Sequence, residues 1–258
     1  MKTTSERREL ILFHLHQKGS VQVADLAEMF NVSTVTIRND LGALENKGIV
    51  TRAYGGAYLN KENISLTEYS MDQKTKFNDV IKQRIGKLAA SLINEGDSII
   101  LDSGTTTSQI AEHLQNIKNV IAMTNAINVA NALIKAPGIE ILITGGHLRR
   151  KSLSFFGAQA EQSLRLYHFN KLFLGVDGFH LEKGISTHNE QEAQLNRAMC
   201  DVADEIIVVT DSSKFSNISL HKILDSIQVN TVITDNGIAE KDLLGLQKLG
   251  IKVLLVDK

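Results

Sequence analysis

The sequence predicts two domains, an α+β winged helix-turn-helix domain followed by an α/β domain with a mostly parallel sheet. Up to Tyr58, three helical patterns are separated by short turns and lead into two short strands. From about Val80 onward strand and helix patterns alternate, which is typical of a parallel sheet with helices on both faces. We therefore predict a first domain over 1–58, a linker over 59–78 and a second domain over 79–258.

The composition indicates a globular chain without a membrane span. Hydrophobic residues make up 43% of the 258 residues and charged residues 22%, which is too apolar for a disordered protein. No apolar run approaches the ~18 residues that a membrane span needs, and residues 1–8 do not resemble a secretory signal. The single cysteine, Cys200, excludes an internal disulfide and fits the cytoplasm, where we expect the protein to act. We expect Cys200 to be buried on a helix.

Net charge gives little indication of nucleic-acid binding. The whole chain carries a formal charge of −1, and residues 1–58 hold seven Lys and Arg against six Asp and Glu. DNA-binding domains usually carry a basic stripe, and this one is faint. A prediction of DNA binding therefore depends on the pattern of the helices.

Three helices and a hairpin are predicted in the first domain, over Ser5–Lys18, 21–30, Thr34–Lys47 and 49–58. We expect Gly19 to end the first helix and Gly48 the third, because glycine is favoured just past a helix end. Ser33 is a good N-cap for the third helix because its hydroxyl can accept a free backbone N–H.

The third helix carries the prediction of DNA binding. A helix in the major groove reads base edges with its N-terminal residues, where Arg38 can bond guanine in a fork and Asn39 can bond adenine. The candidate DNA-binding residues are Ser33, Thr34, Thr36, Arg38 and Asn39 on this helix, with Arg52 and Tyr54 on the wing. A small helical module for protein interaction is the alternative.

Seven strands alternate with helices in the second domain. The predicted strands are Ser98–Leu101, Asn119–Met123, Ile139–Thr144, Lys171–Val176, Glu205–Thr210, Thr231–Thr234 and Ile251–Val256. The predicted helices include Thr107–Leu114, Ala126–Ile134, Glu190–Val202 and Ala239–Leu249. Several of these strands are near-continuous apolar runs, as expected for strands that are covered on both faces.

The most informative stretch of the second domain runs from Asp102 to Thr107, where a strand enters a short polar loop and a helix begins. Backbone amides at a helix N-terminus, with hydroxyls beside them, form a phosphate cradle, and Gly104 lets an anion approach the backbone. The candidate ligand-binding residues here are Asp102, Ser103, Gly104, Thr105, Thr106 and Thr107. A Ser/Thr-rich turn that only caps a helix is the alternative.

Polar groups also follow the ends of other predicted strands, where open α/β sheets bind ligands. These further candidates are Thr124, Asn125, Gly145, Gly146, Arg149, Asp177 and Lys214, with His188, Asn189 and Glu190 at the start of a later helix. Taken alone, Asp177 or Arg149 would be a turn cap or a solvated charge, and Glu190 and Glu192 also suit the positive end of that helix. The histidines show no metal-ligand spacing, so we expect no metal and no cofactor.

The same residues carry a family resemblance. Residues 32–41, together with 44–45 and 52–57, resemble the DNA-binding signature of the DeoR family of bacterial repressors. The resemblance covers essentially the whole chain. It implies that the second domain is similar in fold to ribose-5-phosphate isomerase and CoA transferases.

The resemblance also implies what the second domain binds. It implies that Asp102–Thr107 holds a phosphate and that Asp177, Glu190 and Lys214 are polar site residues. Residues 122–125, 144–150 and 186–190 resemble family members that control amino-sugar utilisation. The implied effector is therefore a phosphorylated amino sugar.

These observations predict a repressor of a carbohydrate-utilisation operon that a phosphorylated sugar releases from its operator, and not an enzyme. The expected partners are double-stranded operator DNA, the phosphorylated sugar and further copies of the chain in a dimer or tetramer. The alternative is a sugar-phosphate isomerase or deaminase that uses Asp177, Glu190 and Lys214 for proton transfer. The DNA-reading module favours the repressor, because an isomerase has no use for one.

Overall fold

A computed structural model describes residues 3–18, 20–59, 75 and 78–258 of the chain. The chain divides into two compact units, residues 1–64 and 65–258. Most of the predicted linker over 59–78 lies outside the described residues, and so does Gly19, the predicted end of the first helix. The linker bounds and the role of Gly19 therefore stay predictions.

The first unit is a winged helix-turn-helix. Its elements are α1 (Thr4–Lys18), β1 (Ser20–Gln22), α2 (Val23–Phe30), α3 (Thr34–Glu45), β2 (Val50–Ala53) and β3 (Gly56–Leu59). The strands form an antiparallel sheet in the order β1-β3-β2. This arrangement confirms the predicted fold of the first unit.

The second and third helices of this unit each differ from the prediction by two residues at one end. The second helix does not include Val21, because Val21 pairs with Ala57 in the sheet and the helix begins only at Val23. Gly56 permits this pairing, since a Cβ there would lie 2.1 Å from the carbonyl oxygen of Val21. The third helix ends at Glu45, two residues before the predicted end, and Gly48 follows in a left-handed conformation with φ of 71°.

A buried ion pair joins α3 to α1 across the first unit. Asp40 is only 1% exposed, and its carboxylate accepts hydrogen bonds from Nε of Arg7 at 2.5 Å and Nε of Arg8 at 2.7 Å. Ile11, Ile37 and Leu41 pack beside this pair in an apolar core. The position of the third helix therefore depends on both apolar packing and a buried charge.

The second unit is an α/β domain. Its helices are α4 (Asp79–Ala90), α5 (Thr105–Glu112), α6 (Ile127–Leu133), α7 (Ala158–Leu164), α8 (Glu190–Asp201) and α9 (Glu240–Lys248). Its strands are β4 (Ser98–Leu101), β5 (Val120–Thr124), β6 (Ile139–Ile143), β7 (His147–Arg149), β8 (Ser154–Phe156), β9 (Phe169–Leu174), β10 (Gly178–His180), β11 (Gly184–Thr187), β12 (Ala203–Val209), β13 (His221–Leu224), β14 (Thr231–Asp235) and β15 (Lys252–Val256).

All seven predicted strands lie in one parallel sheet, in the order β15-β14-β12-β9-β4-β5-β6. Successive residues of a strand point to opposite faces. Ile99 and Phe173 join a core with α4, α5 and α6, whereas Ile100 and Leu172 join a second core with α7, α8 and α9. Three layers result, with helices covering both faces of the sheet, as the apolar strands predicted.

The strand order reverses beside β4, and this reversal positions the site. The chain runs outward from β4 through β5 to β6, then returns to β9 on the other side of β4 and runs outward again to β15. A crevice opens at the carboxyl ends of the two strands where such a reversal occurs. Here those strands are β4 and β9.

Shorter strands were missed by the sequence prediction. Strands β7 and β8 form an antiparallel hairpin, and β10, β11 and β13 form a second small sheet.

Among the described residues, no helix is long and apolar enough to cross a membrane. Cys200 is buried on α8, as predicted.

Replacing Asp40 with alanine should strongly destabilise the first unit. The change leaves the buried guanidinium of Arg7 without its carboxylate, and breaking a buried ion pair in this way costs about 3–5 kcal/mol. Urea denaturation followed by circular dichroism measures the loss. The exposed Asp25 of α2 supplies the control, since Asp25→Ala should cost about 1 kcal/mol or less. Equal losses in the two variants would contradict the structural role of Asp40.

The Cys200 thiol should react very slowly in the native protein. Burial raises the pKa of the Cys200 thiol to about 12, with the charges of Asp201 and Asp102 adding to the effect. The native thiol therefore stays protonated at pH 8, and the thiolate is the reactive form. Alkylation with iodoacetamide should be at least about 100-fold slower than in denaturant, because each pKa unit changes the thiolate fraction about tenfold. Rates within tenfold of each other would be inconsistent with this burial.

The same shift sets how stability depends on pH. Because the folded-state pKa of Cys200 lies above its ordinary value of 9.0, the stability that the buried neutral thiol contributes is fully present below pH 9. It should be lost as the pH rises from 9 towards 12. Unfolding measurements across that range, compared with Cys200→Ala, isolate the contribution of this thiol.

Candidate functional site

The start of α3 presents the candidate DNA-reading residues. Ser33 caps the helix, since its Oγ accepts the backbone N–H of Thr36 at 3.1 Å. The Thr36 hydroxyl lies 2.9 Å from the same Oγ, so it supports the cap and is only half exposed. Thr34, Arg38 and Asn39 are exposed on the helix surface. The geometry therefore leaves these three side chains accessible to a DNA groove.

The two candidate DNA-binding residues on the wing have different surroundings. Tyr54 is fully exposed at the turn between β2 and β3. Arg52 lies near the end of α3, where its backbone N–H donates to Oε1 of Glu45 at 3.1 Å and its guanidinium lies 3.8 Å from the other carboxylate oxygen. Sequence reasoning passed over Val35, which is 59% exposed between Thr34 and Thr36. An exposed valine on this turn could contact a thymine methyl.

One buried carboxylate holds the crevice of the second unit together. Asp102 follows β4 and is 2% exposed. Its Oδ1 accepts the N–H of Gly104 at 2.9 Å, and its Oδ2 accepts the N–H of Gly175 at 3.1 Å. Gly175 follows β9, so Asp102 joins the two loops on either side of the strand reversal.

Helix α5 begins at this junction with free backbone amides. Its N-cap, Gly104, has no side chain to accept them, and the first N–H groups of a helix have no acceptor within it. The Thr107 hydroxyl donates to the carbonyl oxygens of Asp102 at 2.9 Å and of Gly104 at 2.8 Å. Ser103 and Thr106 are buried, while Thr105 is half exposed. The amides and the positive end of the helix dipole together favour an anion here.

The loops after β5 and β6 are fixed by their own polar groups. The Thr124 hydroxyl accepts the N–H of Ala126 at 3.1 Å, and Nδ2 of Asn125 donates to the carbonyl oxygen of Phe155 at 3.2 Å. Gly145 and Gly146 have φ of 66° and 106°, a region that favours glycine. Thr124 and the amide nitrogen of Asn125 are thus engaged in shaping the loop.

The remaining candidates lie on the loops beyond β9. Asp177 accepts the Thr187 hydroxyl at 3.0 Å. Asn189 caps α8, because its Oδ1 accepts the N–H of Glu192 at 3.0 Å, and Glu190 is exposed beside it. His188 is half exposed, and so is Lys214, which follows β12 two strands away from β4.

Arg149 links the β7–β8 hairpin to helix α8. It lies on β7, and its Nη1 is 3.5 Å from Oε2 of Glu192 in the first turn of α8. Sequence reasoning assigned Glu192 only to the helix end. The polar sequence at the start of α8 was the one signal that pointed to a polar contact of Glu192.

Among the described residues, no group of three or more His, Cys, Asp and Glu side chains could hold a metal ion.

Comparison with protein families matches both units. Residues 7–63 match the DeoR-like helix-turn-helix domain, and residues 78–236 match the DeoR C terminal sensor domain. Together these matches span both structural units. They agree with the resemblance that the sequence motifs carry.

Two curated relatives align with most of the chain. The chain is 56% identical over 253 residues to a protein of Escherichia coli named as an aga operon transcriptional repressor, covering 98% of this chain and 94% of that protein. It is 34% identical over 230 residues to the HTH-type transcriptional repressor GlcR of Bacillus subtilis, covering 89% and 88%.

Solved structures give a weaker likeness. Ribose 5-phosphate isomerase A from Methanocaldococcus jannaschii aligns with 54% of this chain and 55% of its own, at 17% identity and a TM-score of 0.40. A likeness at this level assigns no activity to the crevice.

Proposed function

The chain belongs to the DeoR family of helix-turn-helix transcriptional regulators, and we propose that it represses a carbohydrate-utilisation operon until a phosphorylated sugar releases it from DNA. The observation that carries the proposal is the strand-reversal crevice, where Asp102 fixes the start of α5 against the loop after β9. We further propose that the sugar is an amino sugar. This finer step is supported by the similarity to the aga operon repressor and by the motifs around residues 122–125, 144–150 and 186–190.

DNA binding is assigned to the exposed start of α3. Arg38 and Asn39 offer donors and acceptors that suit base edges, and the backbone of the capped helix end suits phosphates. A symmetric operator would be read by two copies of the chain, so the proposal includes a homo-oligomer. Because its target is bacterial DNA, we place the protein in the cytoplasm.

Effector binding is assigned to the crevice of the second unit. The phosphate would lie on the amides of α5, with Ser103, Thr105 and Thr106 beside it, and the sugar would extend towards the loops after β6 and β9. Repression then ends if the effector favours a conformation with weaker DNA contacts. A coupling of about 1–3 kcal/mol changes DNA affinity about 5- to 150-fold.

The alternative is an isomerase or deaminase, and the DNA-reading first unit argues against it, because such an enzyme has no use for one. Its general acid or base would have to lie within hydrogen-bond reach of the reacting atom. The candidates are Asp177, which accepts the Thr187 hydroxyl, the exposed Glu190 and the half-exposed Lys214. Incubating the full chain with hexose and aminohexose phosphates tests the alternative, because turnover above roughly 1 per second would establish an enzyme.

Replacing Arg38 with alanine should weaken operator binding about 5- to 150-fold, because a bidentate contact to guanine contributes about 1–3 kcal/mol. Fluorescence anisotropy with a fragment of the promoter next to its own gene, at fixed salt, measures the affinity. Arg165→Ala is the control, since it removes an equal charge from an exposed position of the second unit. Arg38 would lose its assigned role if both variants bound the fragment as tightly as the unmodified chain.

Replacing Thr105 with valine should weaken effector binding about 10- to 150-fold while operator binding without effector stays unchanged. The reason is the loss of one hydroxyl donor to the phosphate, since hydrogen bonds to charged groups contribute about 1.5–3 kcal/mol. Thr105→Ser keeps the hydroxyl and should retain most of the affinity. Isothermal titration with galactosamine 6-phosphate and glucosamine 6-phosphate measures the effect.

The effector assignment as a whole depends on binding by the unmodified chain. A ligand at about 100 times its dissociation constant stabilises the folded state by about 2.7 kcal/mol, which a thermal-shift measurement detects. Failure of every hexose and aminohexose phosphate to bind, with the promoter fragment still held, would overturn the proposed sensor function.

A further inference from the structure

Arg8 of α1 is a partly exposed cation beside α3 that the assigned DNA-binding residues do not include. Its Nε donates to Oδ1 of Asp40 at 2.7 Å, while Nε of Arg7 donates to the other oxygen of the same carboxylate. The side chain of Arg7 is 9% exposed, whereas that of Arg8 is 35% exposed. The first guanidinium therefore belongs to the core of the unit, and the second reaches its surface.

The outer guanidinium keeps most of its donors. A guanidinium carries five N–H donors in a fixed plane, and Nε of Arg8 uses one of them on Asp40. Within the described part of the chain, this is the one hydrogen bond that the Arg8 side chain makes. The N–H groups on its two outer nitrogens therefore remain for an acceptor that comes from outside the chain.

The contacts of this cluster leave a positive charge unbalanced. Arg7 and Arg8 share the one carboxylate of Asp40, whose charge balances only one of the two guanidinium groups. Glu6, which precedes them on α1, is exposed, and its Oε2 accepts the N–H of Thr3 at 2.8 Å. An anion that approaches the exposed side of Arg8 is therefore attracted by a charge that Asp40 does not cancel.

The cluster lies on the flank of the DNA-reading face of α3. Arg38 and Asn39 are exposed, whereas Leu41 is buried. With 3.6 residues per turn, Asp40 is rotated by about 100° from Asn39 around the helix axis, towards the core. Asp40 therefore lies where the exposed face meets the core, and Arg8 reaches this flank from α1.

A helix that enters the major groove has phosphates along its flanks. The groove is about 12 Å wide, and a helix with its side chains is about 10–12 Å across. The helix therefore fills the groove, and its two flanks adjoin the two phosphate backbones. A guanidinium on one flank, level with the base-reading residues, is placed to donate two parallel N–H groups to a phosphate.

We propose that Arg8 binds a phosphate of the operator DNA through the outer nitrogens of its guanidinium, with Asp40 holding the group in position. The inference rests on the DNA binding of the proposed function and adds a contact outside the recognition helix and the wing. Asp40 then fixes α3 through Arg7 and orients a phosphate contact through Arg8. Because every DNA sequence carries the same phosphates, this contact strengthens binding without selecting bases.

The first test measures how binding depends on salt. Arg8→Met removes the charge and keeps an unbranched apolar stem. In the full chain it should weaken binding to the promoter fragment next to the chain's own gene about 5- to 10-fold at about 0.1 M salt, because one phosphate contact is lost. The slope of log affinity against log salt concentration should become shallower by about 0.9. Arg165→Met is the matched control, since Arg165 is exposed on the second unit, and it should keep the slope.

The second test separates a phosphate contact from damage to α3. Arg8→Met should weaken binding to the promoter fragment and to a scrambled fragment of the same length by factors that agree within about twofold. Arg38→Ala should instead weaken the promoter fragment more than the scrambled one. If Arg8 only supported the position of α3, Arg8→Met would reduce the preference for the promoter and leave the salt slope unchanged.

The outcomes separate the two proposals. If the unmodified chain does not prefer the promoter fragment, the proposed DNA binding fails. If it does and Arg8→Met keeps the full salt slope, only the role of Arg8 fails.

Urea denaturation checks that the variants fold. If Arg8→Met does not, Arg8→Gln, which keeps a neutral donor for Asp40, takes its place with the same expected loss of slope. Arg8→Lys keeps the charge and should retain the slope of the unmodified chain. Failure of both neutral variants to fold would make Arg8 a core residue and overturn the inference.

Discussion

The bonds from Asp102 to the amides of Gly104 and Gly175 are the constraint on which the second unit's site depends. The parallel sheet brings the ends of β4 and β9 side by side, but the loop that leaves β4 leads into α5, whereas the loop that leaves β9 leads into β10. A buried carboxylate that accepts one amide from each loop fixes their separation. The same residue, through its carbonyl oxygen, accepts the Thr107 hydroxyl and so orients the first turn of α5. The helix end at which we propose that the phosphate binds is thereby set before any ligand arrives, which lowers the ordering cost of binding.

The sequence could predict the sheet because several of its strands are buried on both faces and carry near-continuous apolar runs. All seven predicted strands are present, with ends that differ by a few residues. The short strands β1, β7, β8, β10, β11 and β13 were missed, since each has only three or four residues, and β1 and β13 also pair with residues far away in the chain. The boundary of the second helix failed for the same reason. Val21 has a helical pattern locally, and only its pairing with Ala57 excludes it from the helix.

The site was predictable where its signals are local. The capping role of Ser33 and the strand-to-helix loop at Asp102 follow from neighbouring residues and agree with the structure. Interactions across the chain could not be predicted. Asp40 has the pattern of an ordinary helix charge, yet its partners lie 32 and 33 residues away, and Glu192 meets Arg149 across 43 residues. Hydroxyls such as those of Thr107 and Thr124 were candidates by type, whereas the structure engages them with their own backbone.

A sensor of this architecture separates affinity from selectivity. In the proposed function, backbone amides at the start of α5 hold the phosphate of any sugar phosphate, provided that Asp102 keeps the loop in place. The sugar would extend towards the loops after β6 and β9, where side chains rather than backbone amides would contact it. A difference in affinity between two sugars requires a contact that only one of them makes, so in the proposed function selectivity comes from the side chains near the sugar and not from the phosphate cradle.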